Sequence, residues 1–126
     1  METKSTFEGL EVWQEARALR SLLAVICKGL PDVERFRLAD QLVRASRSVT
    51  ANIAEGYGRY HYRENMQFCR QARGSLYEIL DHLTVALDER YLENSQFDGL
   101  RTSVYQLIKK LNGYIRYLQN RKDLTT

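Results

Sequence analysis

The stretch Leu38-Ala39-Asp40-Gln41-Leu42-Val43-Arg44-Ala45-Ser46-Arg47-Ser48-Val49-Thr50-Ala51-Asn52-Ile53-Ala54-Glu55-Gly56 decides the fold. Its apolar positions, Leu38, Leu42, Ala45, Val49, Ile53 and Gly56, advance by four, three, four, four and three residues. That spacing keeps one face of an α-helix apolar. Small residues (Ala45, Ser48, Ala51 and Ala54) interrupt the stripe and its flank, so another helix can approach closely there. Asn52 and Glu55 sit beside the stripe, where burial without partners would be costly. The expected resolution is hydrogen bonding to a neighbouring helix or loop, holding its end in place. Direct contact with a ligand is the alternative.

Outward from this stretch, the 126 residues fit one domain, 1–126. One proline and seven glycines in the whole chain favour long helices and short loops. The first helix is expected over 10–28. Trp13, Ala16, Leu19, Leu23 and Ile26 form its stripe, while Val12, Leu22 and Val25 widen the apolar face. A face that broad suits two contacts, one inside the subunit and one outside. Phe7 is placed to pack back on the first turn. Gly29-Leu30-Pro31 ends the helix and opens the next, expected over 32–56. The third, over 63–90, carries Phe68, Ala72, Ser75 or Leu76, Ile79, Leu83, and Ala86 or Leu87. Gly74 inside it costs about 1 kcal/mol against alanine, and close contact with another helix is the expected motive. The fourth, over 96–120, starts from Ser95 as N-cap with Asp98 three residues on. Its stripe is Phe97, Leu100, Val104, Leu107, Leu111, Tyr114 or Ile115, and Leu118.

Four amphipathic helices with short connections define the expected class: all-α, an antiparallel up-down-up-down four-helix bundle. Trp13, Leu42, Val49, Phe68, Ile79, Leu107 and Leu111 are its predicted core. Cys27, late in the first helix, and Cys69, early in the third, fall toward opposite ends of such a bundle, so both are expected as buried free thiols. No apolar run is long enough to span a bilayer. The first residues lack a secretion signal, which makes the cytoplasm the expected location.

Catalytic chemistry finds no footing. A di-metal bundle site needs Glu-x-x-His on two helices. This chain has only His61 and His82, and Glu78 with His82 reads as a surface ion pair. Ser48 and Ser75 lie among small packing residues without an evident base. No metal and no cofactor are expected, and no enzymatic activity.

The net charge of +3 is unevenly spread. Residues 94–126 carry six basic and two acidic groups, whereas 61–93 carry four and six. Lys109, Lys110, Arg116, Arg121 and Lys122 therefore form one candidate basic strip. Arg59 and Arg63, interleaved with Tyr60, His61 and Tyr62 and close to Tyr57, form another at the turn between the second and third helices. Such a mix suits phosphate contacts and stacking on unpaired bases. A subunit contact or an amphipathic belt at a bundle end would look the same. Arg44 with Arg47, and Arg70 with Arg73, are two further pairs that point outward.

The residues resemble a known family. Phe7-Glu8-Gly9-Leu10-Glu11-Val12-Trp13-Gln14 is similar to its N-terminal signature. Gln41, Arg44, Ala45, Ser48 and Val49, followed by Ala51-Asn52-Ile53-Ala54-Glu55-Gly56-Tyr57-Gly58-Arg59, resemble its central one. Glu64, Phe68, Ala72, Gly74-Ser75-Leu76 and Glu78 resemble its third helix. The family is the four-helix-bundle proteins first noticed as reading frames within intervening sequences of bacterial 23S rRNA genes. The resemblance implies a left-handed antiparallel bundle assembled as a homopentamer. It also implies a fold similar to the accessory proteins of diversity-generating retroelements, which are basic pentamers that bind a reverse transcriptase and nucleic acid. Gln41, Arg44, Asn52, Glu55 and Gly56 carry over as structural motif residues, and the family supplies no catalytic site. Three positions depart from its pattern: His61 replaces a helix-capping serine, Thr50 a proline and Arg37 a glycine. The function expected is that of a non-enzymatic oligomer binding structured RNA or DNA through a basic surface. The rival is a protein-only adaptor for a partner such as a reverse transcriptase.

Overall fold

A computed structural model describes residues 6–125 and buries the whole 38–56 stripe, from Leu38 through Gly56. Four helices are present: α1 (Glu11–Lys28), α2 (Leu38–Gly58), α3 (Tyr62–Asp88) and α4 (Asn94–Thr125). Short 3-10 turns cover Phe7–Gly9 and Asp32–Glu34, and there is no strand among the described residues. The helices pack in the order α1, α2, α3, α4 and back to α1. Their directions alternate, as individual contacts show. Cys27 at the end of α1 meets Ala39 at the start of α2. Gly56 at the end of α2 faces Asn65 at the start of α3. Asn65, Arg73 and Tyr77, ascending α3, meet Tyr114, Asn112 and Tyr105, descending α4. Lys110 of α4 returns to Glu11 and Glu15 in the first turns of α1. The bundle is therefore antiparallel and up-down-up-down, as the periodicity predicts.

The interior is aliphatic: Leu23, Leu42, Ile53, Leu76, Ile79, Leu83 and Leu111 are among its fully buried side chains. Of the predicted core, Leu42, Val49, Ile79, Leu107 and Leu111 are buried. Trp13 and Phe68 are only partly so, which corrects that expectation. Trp13 packs against the core, and each of the two rings carries a cation over one face. Arg17 lies 5.7 Å from the Trp13 ring and Arg59 lies 5.2 Å from that of Phe68. An aromatic face attracts a guanidinium without needing full burial. Phe7 packs edge-on against Trp13 at 5.1 Å, as expected.

Helix starts differ from expectation. Pro31 precedes the 3-10 turn, and α2 begins at Leu38 rather than at 32. The intervening Val33 and Phe36 are 60% and 83% exposed, so no core contact holds that segment to the helix. On α4, Glu93 is the N-cap. Its carbonyl accepts from Phe97, and its own N–H donates to the Gln96 side chain at 3.0 Å. That is the return half of a capping box, set two residues before the predicted Ser95 cap. His61 caps α3 without a side-chain bond.

Close helix contact occurs at Gly56, not at Gly74. A Cβ on Gly56 would lie 2.8 Å from Asn65 Oδ1 and 2.9 Å from Phe68 Cβ, whereas one on Gly74 meets nothing within 4 Å. Asn65 is buried and joins three helices at this point. Its amide donates to the Tyr114 hydroxyl (3.3 Å), and its Oδ1 accepts from the Cys69 thiol (3.5 Å) beside Gly56. Both cysteines are free and buried. Burial pushes the Cys69 thiol up to about 12.

Candidate functional site

The polar pair on α2 is satisfied locally. Asn52 donates to the Ser48 carbonyl at 2.9 Å and to its hydroxyl at 3.0 Å, and Ser75 of α3 donates to the same hydroxyl at 2.9 Å. The link to the neighbouring helix thus runs one residue further than expected, from Ser48 to Ser75. This is a structural seam, with no base hydrogen-bonded to either serine among the described residues. Glu55 pairs with Arg59 at 3.0 Å on its own helix. Gln41 and Arg44 face outward, with Arg44 held 3.4 Å from Asp40. Glu78 and His82 meet at 3.0 Å.

The turn between α2 and α3 splits the residues assigned to it. Arg59 bridges Glu55 and Glu64 (3.7 Å), so its charge is largely offset. Arg63 is exposed with no carboxylate partner among the described residues. Tyr60 is 86% exposed and holds a left-handed backbone, φ 60°. Tyr57 and Tyr62 are partly buried.

α4 divides its two adjacent lysines. Lys110 faces α1, where Glu11 (2.8 Å) and Glu15 hold it and push its pKa up to about 12. Lys109 faces solvent. Arg101, Tyr105 and Lys109 are spaced by four and line one shallow depression together with Gln106. Arg101 stacks over the Tyr105 ring at 4.8 Å, and Tyr77 of α3 meets that ring edge-on at 6.3 Å. Arg116 extends this exposed face. Arg121 leans on the Tyr62 hydroxyl, and Lys122 is partly exposed nearby. Arg101 was not among the residues singled out from the sequence, although its four-residue spacing to Tyr105 and Lys109 was a readable signal.

A second cationic surface was not anticipated. A groove of about 540 Å³ runs between α1 and α2. Arg20, Lys28, Arg35 and Arg47 rim it, Asp32 is its single carboxylate, and Ala24, Ala39 and Val43 are among its apolar lining. Arg20 donates to the Thr50 hydroxyl at 2.9 Å. None of the four cations has an ion-pair partner among the described residues. Arg70 is exposed, while Arg73 is drawn inward to Asn112 at 2.7 Å.

No group of three His, Cys, Asp or Glu side chains among the described residues could hold a metal ion. No described helix is long and apolar enough to cross a membrane. What the surface offers is positive charge with adjoining rings, the means of gathering anions.

Fold and surface together define a four-helix-bundle protein with cationic outer faces. The model of the 23S rRNA-intervening sequence protein family matches residues 8–113, and the chain belongs to that family. Among solved structures, it is similar to a protein of unknown function from the S23 ribosomal protein family of Bacteroides thetaiotaomicron VPI-5482. That match has a TM-score of 0.76 at 18% identity, covering 82% of this chain and 97% of the other. No curated protein matches the chain.

Proposed function

We propose that this chain is a non-enzymatic, cytoplasmic homo-oligomer that binds structured RNA or DNA with little base specificity. The observation that carries the reading is the row Arg101, Lys109 and Arg116 on α4. It is exposed, has no carboxylate partner among the described residues, and is flanked by Tyr105. Cations in this state are available to phosphates, and each phosphate they neutralise releases a counterion. Membership of a family described by its 23S rRNA intervening sequences agrees with a nucleic-acid context. Assembly multiplies a modest charge. A pentamer, the state the family resemblance implies, would carry +15 from chains of +3. Leu22 and Val25 on the outer face of α1, 46% and 67% exposed, supply apolar surface for such a contact.

The test is binding to structured RNA and duplex DNA across a salt series. Replacing Arg101, Lys109 and Arg116 with glutamine should weaken binding to all sequences alike. It should also flatten the log–log salt dependence by roughly one unit per lost phosphate contact. Lys110→Gln should change that slope little, because Glu11 and Glu15 already hold the charge. If the intact oligomer shifts neither nucleic acid at about 50 mM salt, the adaptor reading replaces this one, with a protein such as a reverse transcriptase as partner.

A further inference from the structure

The groove between α1 and α2 has a counterpart on the same molecule. Along α3, Tyr77, Glu78, Asp81, Thr84, Val85 and Asp88 are all exposed, and their spacing places them on one outward stripe. The stripe is apolar at Tyr77 and Val85, which are 50% and 39% exposed, and acidic around them. The segment 78–98 holds six carboxylates against one arginine. The groove is its inverse: an apolar lining and four cations without an ion-pair partner among the described residues, with the exposed side chains of Val25, Val33 and Phe36 close by in the chain. The two surfaces cannot meet within one chain, because α3 stands diagonally across the bundle from α1.

We propose that the α3 stripe of one copy seats in the α1–α2 groove of the next, with Asp81 and Asp88 facing Arg35 and Arg47. This rests on the oligomeric reading above and names its contact. Because two different surfaces meet, the contact is head-to-tail and repeats from copy to copy until it closes into a ring. The arrangement also gives Arg35 and Arg47 the carboxylate partners they lack among the described residues of one chain, while Arg20 already donates to the Thr50 hydroxyl. Tyr77 of the stripe touches Tyr105 of α4, so the contact borders the Arg101, Lys109 and Arg116 row without using any of its three cations.

Charge reversal with mass measured by light scattering tests it. A groove variant, Arg35→Glu with Arg47→Glu, and a stripe variant, Asp81→Lys with Asp88→Lys, change only exposed positions. Circular dichroism confirms that each remains helical. Each alone should fall from the wild-type mass to that of one chain, 14.8 kDa. Mixed in equal amounts they should associate in strict alternation, because each supplies the sign the other lacks; an odd ring cannot close on two alternating chains, so the mixture should give masses of even numbers of chains rather than that of the pentamer. The fourfold variant, with both surfaces inverted, should regain the wild-type mass. Variants that keep the wild-type mass, or a fourfold variant that stays a single chain, overturn the contact while leaving the oligomer standing. A wild type that is itself a single chain at micromolar concentration overturns the oligomer and this contact with it. A groove variant that keeps its mass but loses RNA binding makes the groove a nucleic-acid site and overturns the proposal.

Discussion

A methyl group on Gly56 would press 2.8 Å from the Asn65 side-chain oxygen and 2.9 Å from Phe68 Cβ. The carboxamide can rotate away, but Phe68 Cβ is fixed to the α3 backbone, so the two helices would have to part. Two effects oppose each other in Gly56→Ala. Helix propensity favours alanine by about 1 kcal/mol, while overpacking costs about 1 to 3 kcal/mol. Parting the helices also disturbs the Asn65 bonds to Tyr114 and Cys69. The variant should therefore lose about 1 to 2 kcal/mol in urea unfolding. Gly74→Ala, in open space, should gain up to about 1 kcal/mol. If both substitutions stabilise equally, the close approach at Gly56 is not a constraint.

At the scale of the element, α3 ends in a pattern usually built around glycine. Tyr91 N–H reaches the Ala86 carbonyl at 2.8 Å and Arg90 N–H reaches that of Leu87 at 3.0 Å, with Arg90 at φ 62°. This is a Schellman motif with arginine in the left-handed position. An L side chain costs roughly 1 kcal/mol there. Arg90→Gly should thus raise the thermal midpoint, by about 4 to 8 °C per kcal/mol gained in a domain near 100 residues, and an unchanged midpoint would refute it. The elements also show what a sequence can and cannot carry. The stripes of α2 and α4 were legible, because burial imposes their period over many turns. The start of α2 was not, because Val33 and Phe36 look like helix residues until one knows that both lie exposed, away from the core. Lys109 and Lys110 are neighbours in sequence but about 100° apart around the helix. Only the fold brings Lys110 to Glu11 and Glu15, 99 and 95 residues away, and leaves Lys109 without a carboxylate partner among the described residues. The groove was invisible for the same reason, since its cations come from α1, α2 and the turn between them.

For the molecule as a whole, the node at Asn65 couples acidity to stability. Burial raises both the Cys69 thiol and the Tyr114 hydroxyl to about 12, from ordinary values of 9.0 and 10.0. Both groups are neutral when protonated, so the folded state holds its protons longer than the unfolded one. The stability this represents is complete below pH 9.0 and drains as pH rises toward about 12. The urea midpoint should therefore fall between pH 9 and 11, with Cys69 contributing at most about 1.4 kcal/mol per pH unit. In Cys69→Ala the fall should be shallower, carried by what burial raises at Cys27 and Tyr114. A variant that tracks wild type at every pH would show that the thiol plays no part.

The unequal lengths of the helices have a mechanical consequence. α4 has 32 residues and α1 has 18, roughly 48 Å against 27 Å at about 1.5 Å per residue. Lys110 already meets the first turn of α1, so the remainder of α4 runs on without that neighbour and lies against α3, where Arg121 reaches the Tyr62 hydroxyl near the tip. This stretch carries Arg116, Arg121 and Lys122. Leu111, Ile115 and Leu118, all buried, clamp it to the bundle. A load on the tip is therefore carried as torque into the α3–α4 seam, where Asn65 holds Tyr114. Whatever grips the basic end of this protein also pulls on its interior.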